Sequence, residues 1–141
     1  MRSCMNAVDT NVLLYVHDSR EPAKQQQAIS LVLSLTDGAL LWQVACEYLA
    51  ASRKLEPLGF NRSQAWQDIQ RLHQVWTTIL PTWSTLKLAD QLLRQYSLSF
   101  WDALIVAACL EGGVNRLYSE NFDAYPRIDN LEIVNPFKTV T

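Results

Sequence analysis

The sequence contains a series of short apolar runs that do not alternate with polar residues, and these runs limit the folds open to the chain. Strands that are covered on both faces have this continuous apolar pattern, whereas strands with one solvated face alternate. Because segments with helical periodicity separate the runs, the pattern predicts a parallel sheet with helices on both faces. The predicted strands are residues 5–8, 39–42, 78–80, 115–118 and 131–134.

Amphipathic periodicity predicts the helices between these strands. They are residues 23–35, a helix from about 43 to 54, a long helix with its apolar face between Ala65 and Ile79, and a helix from Leu86 to Tyr96. The segment 101–110 is apolar all round and rich in alanine, so we expect that helix to be buried on every side. Two glycines, Gly112 and Gly113, are predicted to end it.

The composition is that of one globular domain. The chain has 141 residues, of which 49% are hydrophobic and 18% are charged, which excludes a disordered protein. A formal charge of −2 gives no basic footprint, which counts against a protein that binds nucleic acid by charge alone. The charge does not exclude an enzyme that meets phosphate groups through bound metal ions.

The sequence also favours a cytoplasmic protein without a membrane segment. No apolar run approaches the length of a membrane span, and Asp9 interrupts the first apolar run too early for a signal peptide. Three cysteines, Cys4, Cys46 and Cys109, fit no zinc motif and have apolar neighbours. We therefore expect all three to be small core residues with free thiols, in a reducing cytoplasm.

Three acids stand alone in otherwise apolar segments. Asp9 follows the first predicted strand, Glu47 is the one charge in "VACEYLAA", and Asp102 is the one charge in "SFWDALIVAACL". An ionised carboxylate in apolar surroundings is costly unless it is paired, hydrogen-bonded or bound to a metal. Because ligands bind beyond the carboxyl ends of parallel strands, these acids are predicted to converge at that edge of the sheet.

A fourth polar segment, "LYSENFD", follows a later strand and supplies Ser119, Glu120, Asn121 and Asp123. Carboxylates that gather in one place raise one another's pKa unless a cation lies between them. Hard oxygen ligands without histidine or thiolate suit Mg²⁺ or Mn²⁺. Such ions activate water and stabilise the leaving oxygen of a phosphodiester. The pattern therefore indicates metal-dependent phosphoryl transfer to water.

Each acid also has a purely structural interpretation. Asp9 is well placed to cap the helix that follows it, and Asp102 completes a helix-capping pattern. Glu47 has no capping role in the middle of a helix, and a buried pair with Arg53 or Lys54 is poorly spaced. The coincidence of three lone acids after separate strands or loops favours a joint site over three separate structural roles.

The segments "VDTNVLLY", "QVACEYL", "SFWDALIVAAC" and "LYSENF" resemble, in order and spacing, the motifs of the PIN domain, and more narrowly those of VapC-type toxins. The resemblance implies a three-layer α/β/α sandwich with a central parallel sheet, formed by one PIN domain over residues 1–141. It implies a ribonuclease that depends on Mg²⁺ or Mn²⁺. The family's acidic positions, which bind the metal and are catalytic, correspond to Asp9, Glu47 and Asp102. Its supporting neighbours correspond to Thr10, Asn11 and Ser119.

The resemblance also implies partners. Toxins of this type usually form homodimers, cleave RNA, and are held inactive by a cognate antitoxin whose C-terminal segment enters the acidic groove. Basic residues near the groove, of which Arg53, Lys54 and Arg20 are candidates, are expected to hold flanking RNA phosphates.

One position departs from the family pattern. The late motif usually carries a carboxylate where this chain has Asn121. An amide oxygen still ligates a hard cation but brings no charge, so a second metal site would be weaker unless Asp123 turned inward. Sites with one metal and with two metals are both compatible with the sequence. The alternative function is a catalytically impaired PIN-fold module that binds RNA or protein.

Overall fold

The computed structural model describes residues 4–138, and its centre is a six-stranded sheet. The strands lie in the order β3-β2-β1-β4-β6-β5. The first five strands in this spatial order, from β3 to β6, are parallel to one another. The edge strand β5 pairs antiparallel with β6. The strands are β1 (Asn6–Val8), β2 (Gly38–Leu41), β3 (Thr77–Ile79), β4 (Arg116–Tyr118), β5 (Arg127–Ile128) and β6 (Leu131–Val134).

Six α-helices cover this sheet and complete the α/β sandwich. A 3₁₀ segment, Ser52–Leu58, follows the third helix. In the described part of the chain, no helix is both long enough and apolar enough to cross a membrane. The helices are α1 (Thr10–Tyr15), α2 (Pro22–Ser34), α3 (Trp42–Ala51), α4 (Arg62–Val75), α5 (Trp83–Gln95) and α6 (Phe100–Gly112).

The predicted parallel sheet is confirmed, and the differences lie at its edge and at element ends. The antiparallel strand β5 was not predicted, because two residues are too short to show periodicity. The predicted helix from 43 to 54 ends at Ala51, since a 3₁₀ turn with Pro57 follows. The long helix ends at Val75, so Ile79 belongs to β3 and not to the helix face.

The helix α6 is buried along most of its length but not at its start. Its alanine-rich middle packs into the core, and Gly113, with φ of 77°, ends it in the left-handed conformation. Trp101 is 62% exposed and Phe100 is 39% exposed, so the expectation of burial on every side is wrong for the first turn. Both rings belong to the N-terminal turn of the helix.

The expectation that the cysteines are core residues is confirmed for one of the three. Cys109 in α6 is buried, whereas Cys4 and Cys46 are exposed, so the expectation is wrong for those two. An apolar neighbour in the sequence does not show which face of a helix or strand a side chain occupies.

The parallel register brings three connections to one edge of the sheet. The partner of Val8 at the end of β1 is Tyr118 at the end of β4, and the backbone N–H of Asp9 donates to the Tyr118 carbonyl at 2.9 Å. At the end of β2, Leu41 leads directly into α3. Residues that follow these strands therefore meet beyond their carboxyl ends, as expected for a parallel sheet.

Gly38 is predicted to be essential for the packing of β2. A Cβ at this position would overlap the indole ring of buried Trp76. We expect Gly38→Ala to lower the free energy of unfolding by about 1–3 kcal/mol through overpacking, measured by urea denaturation. In a Trp76→Leu background the same change should cost clearly less, since the overlapping ring is gone. Equal costs in both backgrounds would contradict this explanation.

Candidate active site

Asp9 lies at the centre of the candidate site. It follows β1, is the N-cap residue of α1, and is only 4% exposed. Its Oδ1 accepts a hydrogen bond from the Thr10 backbone N–H at 2.7 Å, and its Oδ2 accepts one from the Ser119 hydroxyl at 2.7 Å. Capping and burial are therefore combined in one side chain.

The electrostatic surroundings of Asp9 are unfavourable for its charged form. Burial raises the pKa of its carboxyl, and the negative charges of Glu47 and Asp102 raise that pKa further. The hydrogen bonds from Ser119 and Thr10 act in the opposite direction but do not cancel the rise. The influence of both other acids on Asp9 places all three carboxylates in one neighbourhood.

Glu47, in the second turn of α3, reaches Asp9 through an intermediate residue. Its Oε2 accepts a hydrogen bond from the Thr10 hydroxyl at 2.9 Å, so Thr10 contacts both acids. The other oxygen of Glu47 accepts a hydrogen bond from the Gln43 amide at 2.6 Å. Asn11, the next residue of α1, is half-buried and makes no side-chain hydrogen bond to these acids within residues 4–138.

Asp102 lies in the first turn of α6, and its backbone N–H donates to the capping hydroxyl of Ser99 at 3.1 Å. Ser99 is therefore the N-cap residue of α6, and Asp102 takes part in the cap through its backbone. Burial raises the pKa of the Asp102 carboxyl, the Ser99 hydrogen bond lowers it, and the charge of Glu47 raises it again. Because the net shift is upward, the charged form of Asp102 also lacks compensation.

No basic side chain of the described residues forms an ion pair with the three acids. A hard divalent cation prefers oxygen ligands that carry negative charge, and the three carboxylates supply both properties. The side chains are not arranged as a complete cage, since residues 4–138 contain no group of three or more potential ligands poised around one point. The oxygens of Asp9 and Glu47 are instead turned toward hydrogen-bond donors, although each keeps free lone pairs.

The late segment after β4 contributes polar groups to Asp9. Ser119 is buried, and its hydroxyl accepts a hydrogen bond from the Asn121 backbone N–H at 3.1 Å. The Asn121 side chain turns its Nδ2 toward Asp9 Oδ2 at 3.4 Å. Asn121 therefore presents a hydrogen-bond donor to Asp9. A carboxylate at position 121 would instead add negative charge beside Asp9.

The two other acids of this segment face elsewhere. Glu120 accepts a hydrogen bond from the Tyr15 hydroxyl at 2.7 Å and from the Lys24 ammonium at 3.1 Å. Asp123 is exposed and accepts a hydrogen bond from the Asn135 amide at 3.3 Å. The structure thus brings neither of them to Asp9.

A groove with a volume of about 940 Å³ begins beside Glu47. Three basic residues, Arg53, Lys54 and Arg62, line it together with the C-terminal end of α3. The third candidate from the sequence, Arg20, is not among the lining residues and pairs with Asp18 at 2.9 Å. The groove therefore has an acidic end at Glu47 and a predominantly basic wall, to which Glu56 adds one negative charge.

Gln43 is a residue of this site that the sequence analysis missed. Its amide nitrogen contacts Glu47 and the Trp101 carbonyl, the latter at 3.2 Å. The available signal was its position four residues before Glu47 in a predicted helix, a spacing at which side chains meet.

The model of the PIN domain family matches residues 7–131 of the chain. Among curated proteins, no sequence matches it. The fold is similar to that of a toxin–antitoxin complex from Klebsiella pneumoniae, with a TM-score of 0.69, 19% identity, and coverage of 97% of this chain and 100% of that one.

Two further solved structures share the fold. The sarcin–ricin-loop-cleaving toxin VapC20 of Mycobacterium tuberculosis has a TM-score of 0.62 and 18% identity, with 90% of this chain and 98% of that one covered. The Rickettsia felis VapBC2 complex, bound to a promoter DNA fragment, has a TM-score of 0.65 and 15% identity, with coverage of 92% and 96%. The match of the family model to most of the sequence, on a fold with acids gathered at one sheet edge, shows that the chain belongs to the PIN domain family.

Proposed function

We propose that this protein is a metal-dependent ribonuclease of the VapC type, the toxin of a toxin–antitoxin pair. The observation that carries the proposal is the gathering of Asp9, Glu47 and Asp102 at the carboxyl edge of a parallel sheet without a basic partner among the described residues. The charges of Asp9 and Asp102 are unfavourable in the free protein, and a divalent cation is the simplest group that offsets them.

Asp9, Glu47 and Asp102 are the residues that would hold Mg²⁺ or Mn²⁺. When bound, the ion would lower the pKa of a water molecule and stabilise the developing charge on phosphate. The chain's own polar groups orient the acids: Ser119 holds one oxygen of Asp9, and Thr10 holds one oxygen of Glu47. The reaction adds water across the P–O3′ bond of RNA and leaves a 5′-phosphate and a 3′-hydroxyl.

We further propose that the chain's own residues serve one ion. Asn121 turns an amide nitrogen toward Asp9, and Asp123 is bound to Asn135 at the surface. Neither residue adds a fourth carboxylate to the three acids. The Asn121 donor is also the observation that favours the second candidate, a PIN-fold module that binds RNA or protein but has lost catalysis.

The groove beside Glu47 is the proposed path of the RNA backbone. Its wall contains three positively charged residues, all of them exposed: Arg53, Lys54 and Arg62. Contacts from basic side chains to phosphates supply affinity without reading sequence. A strand held there would pass beside Glu47, the acid that borders the groove.

The proposed partners follow from the family and from the surface. Similar folds include a toxin–antitoxin complex of Klebsiella pneumoniae and the VapBC2 complex of Rickettsia felis. Large apolar side chains are exposed here at Trp42, Leu80, Trp83 and Trp101. Exposed apolar surface of this kind is typical of interaction sites, which supports a homodimer and a cognate antitoxin. We propose that the protein acts in the cytoplasm, where its RNA substrate is.

The nuclease is tested by incubating the purified protein, without antitoxin, with total cellular RNA and with Mn²⁺, Mg²⁺ or EDTA. We expect cleavage only with metal, and we expect Asp9→Asn to slow it by at least about a hundredfold, since removal of groups that merely support a metal site already costs 10–100-fold. The exposed Asp123→Asn is the matched control and should cleave at the normal rate.

The impaired module gives a different result in the same experiment. It would show no cleavage and no metal-linked rise in Tm, since a ligand that binds the folded state raises Tm. In that case Asn121→Asp is the informative variant. Cleavage gained with this substitution would show that the missing carboxylate had disabled the site.

We predict that Asp9→Asn stabilises the protein at neutral pH in EDTA. The pKa of Asp9 is raised in the folded state, so its charged form opposes folding once the pH exceeds the unfolded value of about 3.8. The Tm gain of Asp9→Asn should therefore be largest near pH 7 and shrink toward pH 4, where the carboxyl becomes neutral. Thermal unfolding across this range is the measurement. A loss of Tm at pH 7 would contradict the prediction, and Asp123→Asn should change little.

The phosphate path is tested by the salt dependence of RNA binding, measured by fluorescence anisotropy on the Asp9→Asn protein. Each single-strand phosphate contact contributes a slope of about −0.7 to log K against log salt. The double variant Arg53→Gln/Lys54→Gln should therefore reduce the magnitude of the slope by about 1.4. Arg127→Gln, on the edge strand β5, is the control and should leave it unchanged. An unaltered slope in the double variant would exclude this wall from RNA binding.

A further inference from the structure

Gln43 connects two helices that carry acids of the candidate site. It lies in the first turn of α3, one turn before Glu47, and its side chain is half-buried. Its Nε2 donates to Glu47 Oε1 at 2.6 Å and to the backbone carbonyl of Trp101 at 3.2 Å. Trp101 immediately precedes Asp102 in the first turn of α6. One amide group therefore links Glu47 to the turn that carries Asp102.

The orientation of the Gln43 amide is fixed by these two contacts. Both partners are acceptors, so only the NH₂ group of the amide can lie between them. Its Oε1 is consequently buried, with no hydrogen-bond partner among the described residues. A buried polar atom without a partner costs free energy and is rare in native proteins. The side chain therefore adopts this orientation although it leaves Oε1 without a partner, because the NH₂ group donates to both Glu47 and Trp101.

The two hydrogen bonds of Gln43 act against the electrostatic repulsion between the carboxylates of Glu47 and Asp102. Glu47 and Asp102 are like charges that influence each other across the site, which favours their separation. Glu47 borders the open groove, so its side chain has room to swing away from the other acids. Its Oε2 is held by Thr10 and its Oε1 by Gln43, which together restrict both ends of the carboxylate.

We propose that Gln43 is a positioning residue that holds Glu47 beside Asp102 by bridging α3 and α6, so that the three acids present their oxygens to one divalent cation. This inference rests on the proposed metal-dependent function and adds to it a residue outside the acids. Gln43 itself contacts neither the ion nor the RNA in this role. It acts through the rotamer of Glu47 and through the spacing of the two helices.

The test replaces Gln43 with methionine, which has nearly the same shape but no amide hydrogens. Mn²⁺ affinity is measured by calorimetry without RNA, and kcat and KM are measured for a cleavable RNA. We expect Gln43→Met to weaken Mn²⁺ binding by about 10–100-fold. We expect kcat at a fixed, non-saturating Mn²⁺ concentration to fall, with KM for RNA nearly unchanged, because the basic wall of the groove is intact.

Two further variants control this experiment. Gln67→Met makes the same change on the exposed face of α4 and should behave like the unaltered protein. Gln43→Glu keeps the size of the side chain but replaces the donor with a negative charge beside Glu47, so Mn²⁺ binding should be altered even if Gln43→Met folds poorly. The Tm of each variant in EDTA reports whether folding is affected.

The outcomes separate this inference from the proposed function. If Gln43→Met binds Mn²⁺ as tightly as the unaltered protein, the positioning role is overturned and the nuclease stands. A fall in Tm with unchanged Mn²⁺ affinity would likewise overturn it in favour of a purely structural role. If the unaltered protein binds no Mn²⁺, both the proposed function and this inference fail.

Discussion

The site is organised around the buried carboxylate of Asp9. Burial and two neighbouring acids disfavour its charge, and hydrogen bonds from Thr10 and Ser119 offset only part of that cost. These partners come from the start of α1 and from the segment after β4, so the environment of Asp9 depends on the parallel pairing of β1 with β4. Thr10 extends the network to Glu47 through its hydroxyl. The geometry of the site therefore depends on the strand pairing that brings these hydrogen-bond donors to the buried carboxylate of Asp9.

A second network keeps the late segment in place. Glu120 is bound by the Tyr15 hydroxyl and by the Lys24 ammonium, and this ammonium also lies 4.9 Å from the centre of the Tyr15 ring. The residues on either side of Glu120, Ser119 and Asn121, are those that contact Asp9. An acid that is adjacent to the site residues in the sequence therefore anchors the segment to α1 and α2, where a lysine balances its charge.

Sequence patterns were enough to predict the parallel sheet, five of its strands and the three lone acids. These predictions succeeded because they rest on local patterns. Continuous apolar runs indicate strands that are buried on both faces. An isolated charge in an apolar helix or at a strand end is costly unless it is paired, hydrogen-bonded or bound to a metal, so it marks a candidate site. Asp9, Glu47 and Asp102 could be identified in this way without knowledge of what surrounds them, whereas their proposed role as ligands of one ion remains a prediction.

The hydrogen-bond partners of the polar side chains are set by the tertiary fold and could not be read from the sequence. The direction of Asp123 toward Asn135 and the bridge from Gln43 to Trp101 join residues that are distant in the sequence, so no local pattern encodes them. The edge strand β5 and the exposure of Trp101 were likewise decided by packing. The physical reason is that periodicity reports how far a side chain is removed from water, whereas hydrogen-bond partners depend on the relative placement of whole helices and strands.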